Sequence, residues 1–245
     1  MSDLKDRVRP DWKQSLLAVL ELARAAGKNG MLVFDLDSTV FDNRPRQARI
    51  VREFGAERGI KELMACKESN FDSGWDLRGA MVNCGLSAET AEGLHKDIKK
   101  FWGSRFFTSK YCVDDVQVTG AAKYLDQSVA TGARVLYITG RHEAMRAGTE
   151  ECMKKCAMPM PAPGTMVELL MKPQLFESDD TYKKDTHQKL HKMGKVVAAF
   201  DNEPTHANDY ANGFPEATVI HLATDHSGRP VQLVERIISV PNFDL

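Results

Sequence analysis

Asp35 and Asp37 stand two residues apart at the end of the apolar run "MLVFDL", with Ser38, Thr39 and Asp42 close behind. Burying a lone charge is costly, so a strand that closes on two acids calls for a chemical reason. A carboxylate such as Asp35 can attack phosphorus and split one hard displacement into two steps. A second acid, Asp37, can protonate the leaving alkoxide and later deprotonate the attacking water. The group in transit carries spread negative charge, so a hydroxyl, an ammonium and backbone N–H groups should converge on it. Two carboxylates beside a phosphate would repel it and each other. A hard, oxygen-seeking cation, Mg²⁺ above all, resolves this with few protein ligands, and Asp201 is the obvious further one.

In open parallel sheets functional groups gather at the C-terminal ends of the strands. The run "RVLYIT" (134–139) ends in Thr139-Gly140-Arg141, and "KVVAAF" (195–200) ends in Asp201-Asn202-Glu203. Lys183 and Lys184 open the helix that precedes the latter run. Each feature alone has an ordinary explanation: a Thr-Gly turn, a solvated lysine, an Asp-Asn cap. A shared sheet edge is what raises them together.

The elements that must position these residues alternate in type. Further apolar β-rich runs lie at "MVELLM" (166–171) and "ATVIHL" (217–222). Helical patterns cover 11–26, 119–131, 143–156, 181–193 and 204–212. Nearly continuous apolar strands alternating with helices predict an α/β, Rossmann-like parallel sheet with helices on both faces. A direct βαβ crossover takes about 30 residues, yet 44–113 separates the first two runs and reads almost wholly as helix. The spacing predicts helices over 46–58, 77–83 and 87–101, with Ser87 as an N-cap. The expected organisation is therefore a core of 1–43 and 114–245 with a helical cap inserted at 44–113.

Lys+Arg 33 against Asp+Glu 34 leaves a net charge of -1, so no basic excess recommends nucleic acid or an anionic membrane as partner. No apolar run approaches a membrane span, and the polar start "MSDLKDRVRPDWKQ" lacks the apolar core of a signal peptide. Five scattered cysteines (66, 84, 112, 152 and 156) resemble reduced thiols more than a disulfide framework, which points to the cytoplasm. Cys152 and Cys156, one helical turn apart, have no second pair to complete a metal site.

Four stretches together resemble the haloacid dehalogenase superfamily. "DLDST" is similar to its first motif, Asp-x-Asp-x-(Thr/Val), and "YITGR" to its second. Lys183 in "DDTYKKD" fits the third motif and "AAFDNEP" the acidic fourth, in the family's order and spacing. "DLDSTVFDN" and "GAAKYLDQ" resemble the acid-phosphatase branch in particular. The resemblance implies Asp35 as nucleophile, Asp37 as general acid/base, Thr139 hydrogen-bonding the phosphoryl group and Lys183 neutralising it. It implies Mg²⁺ held by the Asp35 carboxylate, the Asp37 backbone carbonyl and Asp201. Family members that cleave carbon–halogen bonds lack the second acid, so Asp37 argues for phosphate. The fourth motif often supplies two acids, whereas Asn202 follows Asp201 here, leaving Glu203 or Asp209 as helpers. Lys184, and Lys172 in "LLMKP", remain alternatives to Lys183.

In this family an insertion after the first motif forms a cap that can close over the site and exclude water. Arg44, Arg46, Arg49 and Arg52 cluster where the chain enters it. Arg44, together with Gly140 and Arg141, is a candidate for binding an anionic substrate. Trp75, Phe101, Trp102, Phe106 and Phe107 could line a pocket, though packing of the cap against the core is the commoner use of such rings. The expected activity is Mg²⁺-dependent hydrolysis of a small-molecule phosphomonoester through an aspartyl-phosphate. The alternatives are a phosphotransferase or mutase on the same intermediate, or a non-catalytic binding protein. Neither the substrate nor the oligomeric state has a readable code in the sequence.

Overall fold

The computed structural model describes residues 4–245; residues 1–3 of the polar N-terminal stretch lie outside the described residues. Ten α-helices and eight strands follow in chain order among the described residues. One unit comprises the described residues up to Phe41 with Gln117–Glu143 and Met153–Leu245; the other comprises Asp42–Val116 and Ala144–Cys152.

The first unit is built on six parallel strands in the order β5-β4-β1-β6-β7-β8. These are β1 (Gly30–Phe34), β4 (Arg134–His142), β5 (Val167–Lys172), β6 (Lys195–Asp201), β7 (Thr218–Leu222) and β8 (Ile238–Val240). The short strands β2 (Phe41–Asp42) and β3 (Val116–Gln117) pair separately. The chain runs outward from β1 through β4 to β5, then returns to the other side of β1 as β6. That reversal is the switch point at which α/β sheets open a crevice beyond their strand ends. All five residues of β1 are buried, as a central strand covered on both faces requires.

Alternate residues of β1 serve opposite layers. Met31 and Val33 pack with Tyr182 and Leu190 of α9 (Asp179–Met193) and with Tyr210 and Phe214 at α10 (Pro204–Gly213). Phe34 stacks on Phe200 at 4.3 Å and meets the edge of Tyr124 at 6.3 Å on the other face. Tyr124, on α7 (Ala121–Ala130), donates its hydroxyl to Leu16 O of α1 (Trp12–Ala26) at 3.0 Å, joining the two helices of that layer. Phe243 completes this aromatic cluster, and its N–H bonds Thr119 O at 2.9 Å. Gly120 makes that possible: its φ is +79°, and a Cβ there would stand 2.5 Å from the Phe243 backbone.

The expected strands and helices appear within a few residues of the predicted bounds. β8 and the β2–β3 pair were not expected. β8 is a three-residue edge strand inside an irregular run, held by pairing with β7 and by a bridge from Ser239 to Val8. So short a segment has no periodicity to read.

The second unit is helical: α2 (Arg44–Arg58), α3 (Lys61–Met64), α4 (Leu77–Asn83), α5 (Ala88–Phe106), α6 (Ser109–Cys112) and most of α8 (Arg146–Lys155). Its core gathers Val51, Phe54, Leu63, Phe71, Met81 and Ile98. Ser87 caps α5 by accepting from Thr90 N at 3.1 Å. Trp102 stacks on Phe106 at 4.5 Å and Phe107 meets its edge, so these rings pack, whereas Trp75 is 64% exposed. Gly148 lets α8 approach Ser109, whose hydroxyl accepts its N–H at 2.6 Å; a Cβ would collide with the Ser109 carbonyl.

The arginines entering this unit have partners inside it. Arg46 is fully buried, 2.9 Å from the equally buried Asp115, with its guanidinium 3.8 Å from the Phe106 ring centroid. Arg49 reaches Asp114 at 2.7 Å and Glu53 at 3.0 Å, and Arg52 donates to Cys66 O. Removing one member of a buried pair strands the other charge. Arg46→Ala should therefore lower stability by about 3–5 kcal/mol, and Arg46→Met with Asp115→Leu should recover most of it. Urea unfolding followed by circular dichroism checks both.

Candidate active site

Asp35 follows β1 directly, and its N–H still bonds Phe200 O of β6 at 3.0 Å. The rigid centre of the sheet thus sets its position. The chain then turns: the N–H groups of Thr39, Val40 and Phe41 all point at Leu36 O, at 3.2, 3.0 and 2.9 Å. Ser38 sits inside this turn with φ +57°, a left-handed conformation that costs an L-residue roughly 1–2 kcal/mol. The turn carries Asp37 away from the sheet, half-buried, while Asp35 stays buried.

Lys183, on α9, joins the ends of β1 and β6. Its Nζ lies 2.8 Å from Asp35 Oδ1 and 2.7 Å from Asp201 Oδ2, all three groups being buried. Neither alternative lysine shares that place. Lys172 pairs with Asp179 at 2.5 Å, and Lys184 is exposed.

Burial pushes the Asp35 carboxyl up to about 7; Lys183 opposes the shift and Asp201 adds to it. Asp201, although burial raises it too, is held below the usual carboxylate range by Lys183 and His206. Lys183 is raised because Asp201 and Asp35 outweigh its own burial. Two like carboxylates on one ammonium have been driven apart in proton affinity.

The register of β4 against β5 shifts between Thr139 and His142, an irregularity of the kind that re-aims side chains. Thr139 is fully buried, and its hydroxyl oxygen accepts the Arg141 N–H at 3.1 Å, which leaves the hydroxyl hydrogen to be donated elsewhere. Arg141, a candidate for binding substrate, grips Asp37 with Nε at 3.0 Å from Oδ2 and Nη2 at 2.6 Å from Oδ1. Gly140 faces the Asp179 carboxylate, which a Cβ would meet at 2.6 Å. Arg44 belongs to the helical unit and forks onto Asp42, at 2.6 Å to Oδ2.

Thr39 and His206, beside this cluster, were given no role from the sequence. Thr39 donates to Asn202 Oδ1 and accepts from Asn202 N, both at 3.1 Å, tying the turn after β1 to the end of β6. Glu203, a suggested metal helper, accepts from Ser227 N and Oγ, each at 2.9 Å. His206 on α10 lies 3.1 Å from Lys183 Nζ. Burial and Lys183 oppose its protonation, but Asp201 and Asp180 prevail and raise it. Lone polar residues of this sort have no spacing to reveal them; only the fold brings them in.

Among the described residues no three His, Cys, Asp or Glu side chains are grouped to hold a metal. The ligand set implied for Mg²⁺ has only two side-chain carboxylates, Asp35 and Asp201, with the Asp37 carbonyl as third. All are hard oxygen donors, the chemistry such an ion takes.

A group with a raised folded pKa binds more protons folded than unfolded, so ionising Asp35 destabilises the metal-free protein as pH rises from about 4 through about 7. Asp35→Asn should accordingly raise the melting temperature of the metal-free protein at about pH 8, and the gain should shrink towards about pH 5. Differential scanning calorimetry in chelator measures both.

No protein-family model matches the chain, and no curated protein does. Among solved structures it resembles a candidate phosphoglycolate phosphatase from Lactobacillus delbrueckii subsp. bulgaricus, at TM-score 0.51 and 12% identity over 87% of this chain and 95% of that one. A candidate phosphatase from Clostridium difficile matches at TM-score 0.51 and 11% identity, over 82% of this chain and 88% of that one. The class C acid phosphatase from Bacillus anthracis matches more loosely, at TM-score 0.45 and 12% identity over 98% and 81%. Identities this low speak to architecture alone. The strand order, the flanking helices and the likeness to the first two of these structures show a Rossmann-like α/β fold.

Proposed function

We propose that the protein hydrolyses a small-molecule phosphomonoester through an aspartyl-phosphate on Asp35. The observation that carries this reading is the Lys183 ammonium bridging Asp35 and Asp201 at the switch point of the sheet, with Asp37 beside them in the grip of Arg141. Asp35 is rigid and buried, as an attacking carboxylate must be. Asp37 stands on the turn just beyond, where it can give a proton to the leaving oxygen and then take one from water. Lys183 and the Thr139 hydroxyl would neutralise and orient the phosphoryl oxygens. Asp35, Asp201 and the Asp37 carbonyl would hold Mg²⁺, whose charge would relieve the repulsion between these carboxylates and the phosphoryl group.

Turnover of p-nitrophenyl phosphate with Mg²⁺ tests the reading, and chelator should abolish it. Asp35→Asn should lower kcat by about a thousandfold or more. Asp37→Asn should cost alkyl phosphates roughly 100-fold and the activated aryl ester much less, because a good leaving group needs no proton. Absence of turnover with any phosphoester, together with no binding of BeF₃⁻ or AlF₄⁻, would leave a non-catalytic binding protein as the better description.

A further inference from the structure

We infer that His206 is a positioning residue for Lys183. An ammonium has three hydrogens to donate and no lone pair. Asp35 Oδ1 at 2.8 Å and Asp201 Oδ2 at 2.7 Å take two of them, and His206 Nδ1 at 3.1 Å faces the third. Since Lys183 can only donate, Nδ1 accepts from it only when unprotonated, although Nδ1 also lies 3.7 Å from Asp201 Oδ1. The ring proton then lies on Nε2, which faces Asp180 Oδ1 at 2.9 Å. Asp180 is held in turn by Arg229, whose Nη1 reaches both of its oxygens, at 3.0 and 3.3 Å.

The result is a chain of fixed bonds running from the half-exposed Arg229 inward through Asp180 and His206 to Lys183. Asp35 and Asp201 draw the ammonium towards the ends of β1 and β6, and without a third acceptor it could slide between the two carboxylates. A histidine that selects one ring tautomer through an outer carboxylate fixes where that acceptor stands. The work assigned to Lys183, neutralising a phosphoryl group, rests on the proposed function; the geometry imposed by His206 does not.

Asparagine can place an amide oxygen near the Nδ1 position, whereas glutamine reaches towards Nε2 and Asp180. His206→Asn should therefore keep what His206→Gln loses, although a residue that merely filled space would give the reverse or no difference. Crystal structures of the wild type and both variants, grown with Mg²⁺ under one condition, read the position of Lys183 Nζ directly. It should stay between Asp35 and Asp201 in His206→Asn and leave them in His206→Gln. Turnover of p-nitrophenyl phosphate should fall on the order of 100-fold in His206→Gln and less than about tenfold in His206→Asn, with melting temperatures lowered alike. Asp180→Ala alters only the outer, partly exposed anchor, and should lower kcat about tenfold with little change in melting temperature. The inference is overturned if Lys183 keeps its place in His206→Gln, or if all three variants turn over like the wild type. If the wild type hydrolyses no phosphoester the proposed function fails, and the crystallographic position of Lys183 alone decides the role of His206.

Discussion

The site depends on one buried ammonium. Lys183 is almost fully excluded from water and lies within 2.8 Å of two carboxylates from neighbouring strands. A cation so placed is tolerable only when its donors are all met and opposite charges stand close. The strand order supplies that condition, because β1 and β6 are sheet neighbours although 30–34 and 195–201 are far apart in the chain. The α9 helix delivers the lysine from the layer that covers Met31 and Val33. Sheet order, helix layer and charge pairing are thus a single constraint seen at three scales.

Around that centre the two acids of the first turn live under different regimes. Asp35 is anchored by a backbone bond to β6 and pushed upward by burial. Asp37 sits on a turn strained at Ser38 and is gripped by a bidentate arginine from β4. A backbone that leaves the strand at once lets acids two residues apart occupy such different surroundings. Thr39, Asn202 and the contact of Thr224 with the Ser38 carbonyl stitch the turn to β6 and to the segment after β7, so its strained shape is over-determined.

The helical unit has its own logic. Its arginines look, in sequence, like a surface for an anion, yet Arg44, Arg46, Arg49 and Arg52 each satisfy a carboxylate or carbonyl within the unit. A run of arginines on a helix with acids at 114 and 115 reads equally well as an anion-binding face or as a network of ion pairs. Burial decides for Arg46, which has no solvent contact at all.

Much was legible before any coordinates. Five of the six sheet strands announced themselves as apolar runs, because a strand buried on both faces needs apolar side chains at every position. Asp35, Asp37, Thr139, Lys183 and Asp201 stood out because they close such runs or open the neighbouring helix, and residues at strand ends share an edge whatever the details of packing. Composition could not show β8, a three-residue strand defined only by its partner. Nor could spacing show that Arg141 turns onto Asp37, that Glu203 turns away to Ser227, or that His206 and Asp180 stand behind Lys183. Those are side-chain directions set by an irregularity in β4, by a turn, and by the packing of α10 against α9. What the sequence determined by itself was the order of strands and helices and the acids at their ends, since these follow from local pattern. Which lysine meets which acid, and what holds it there, was decided by the tertiary structure, because a hydrogen bond is a matter of ångströms and no pattern along the chain measures them.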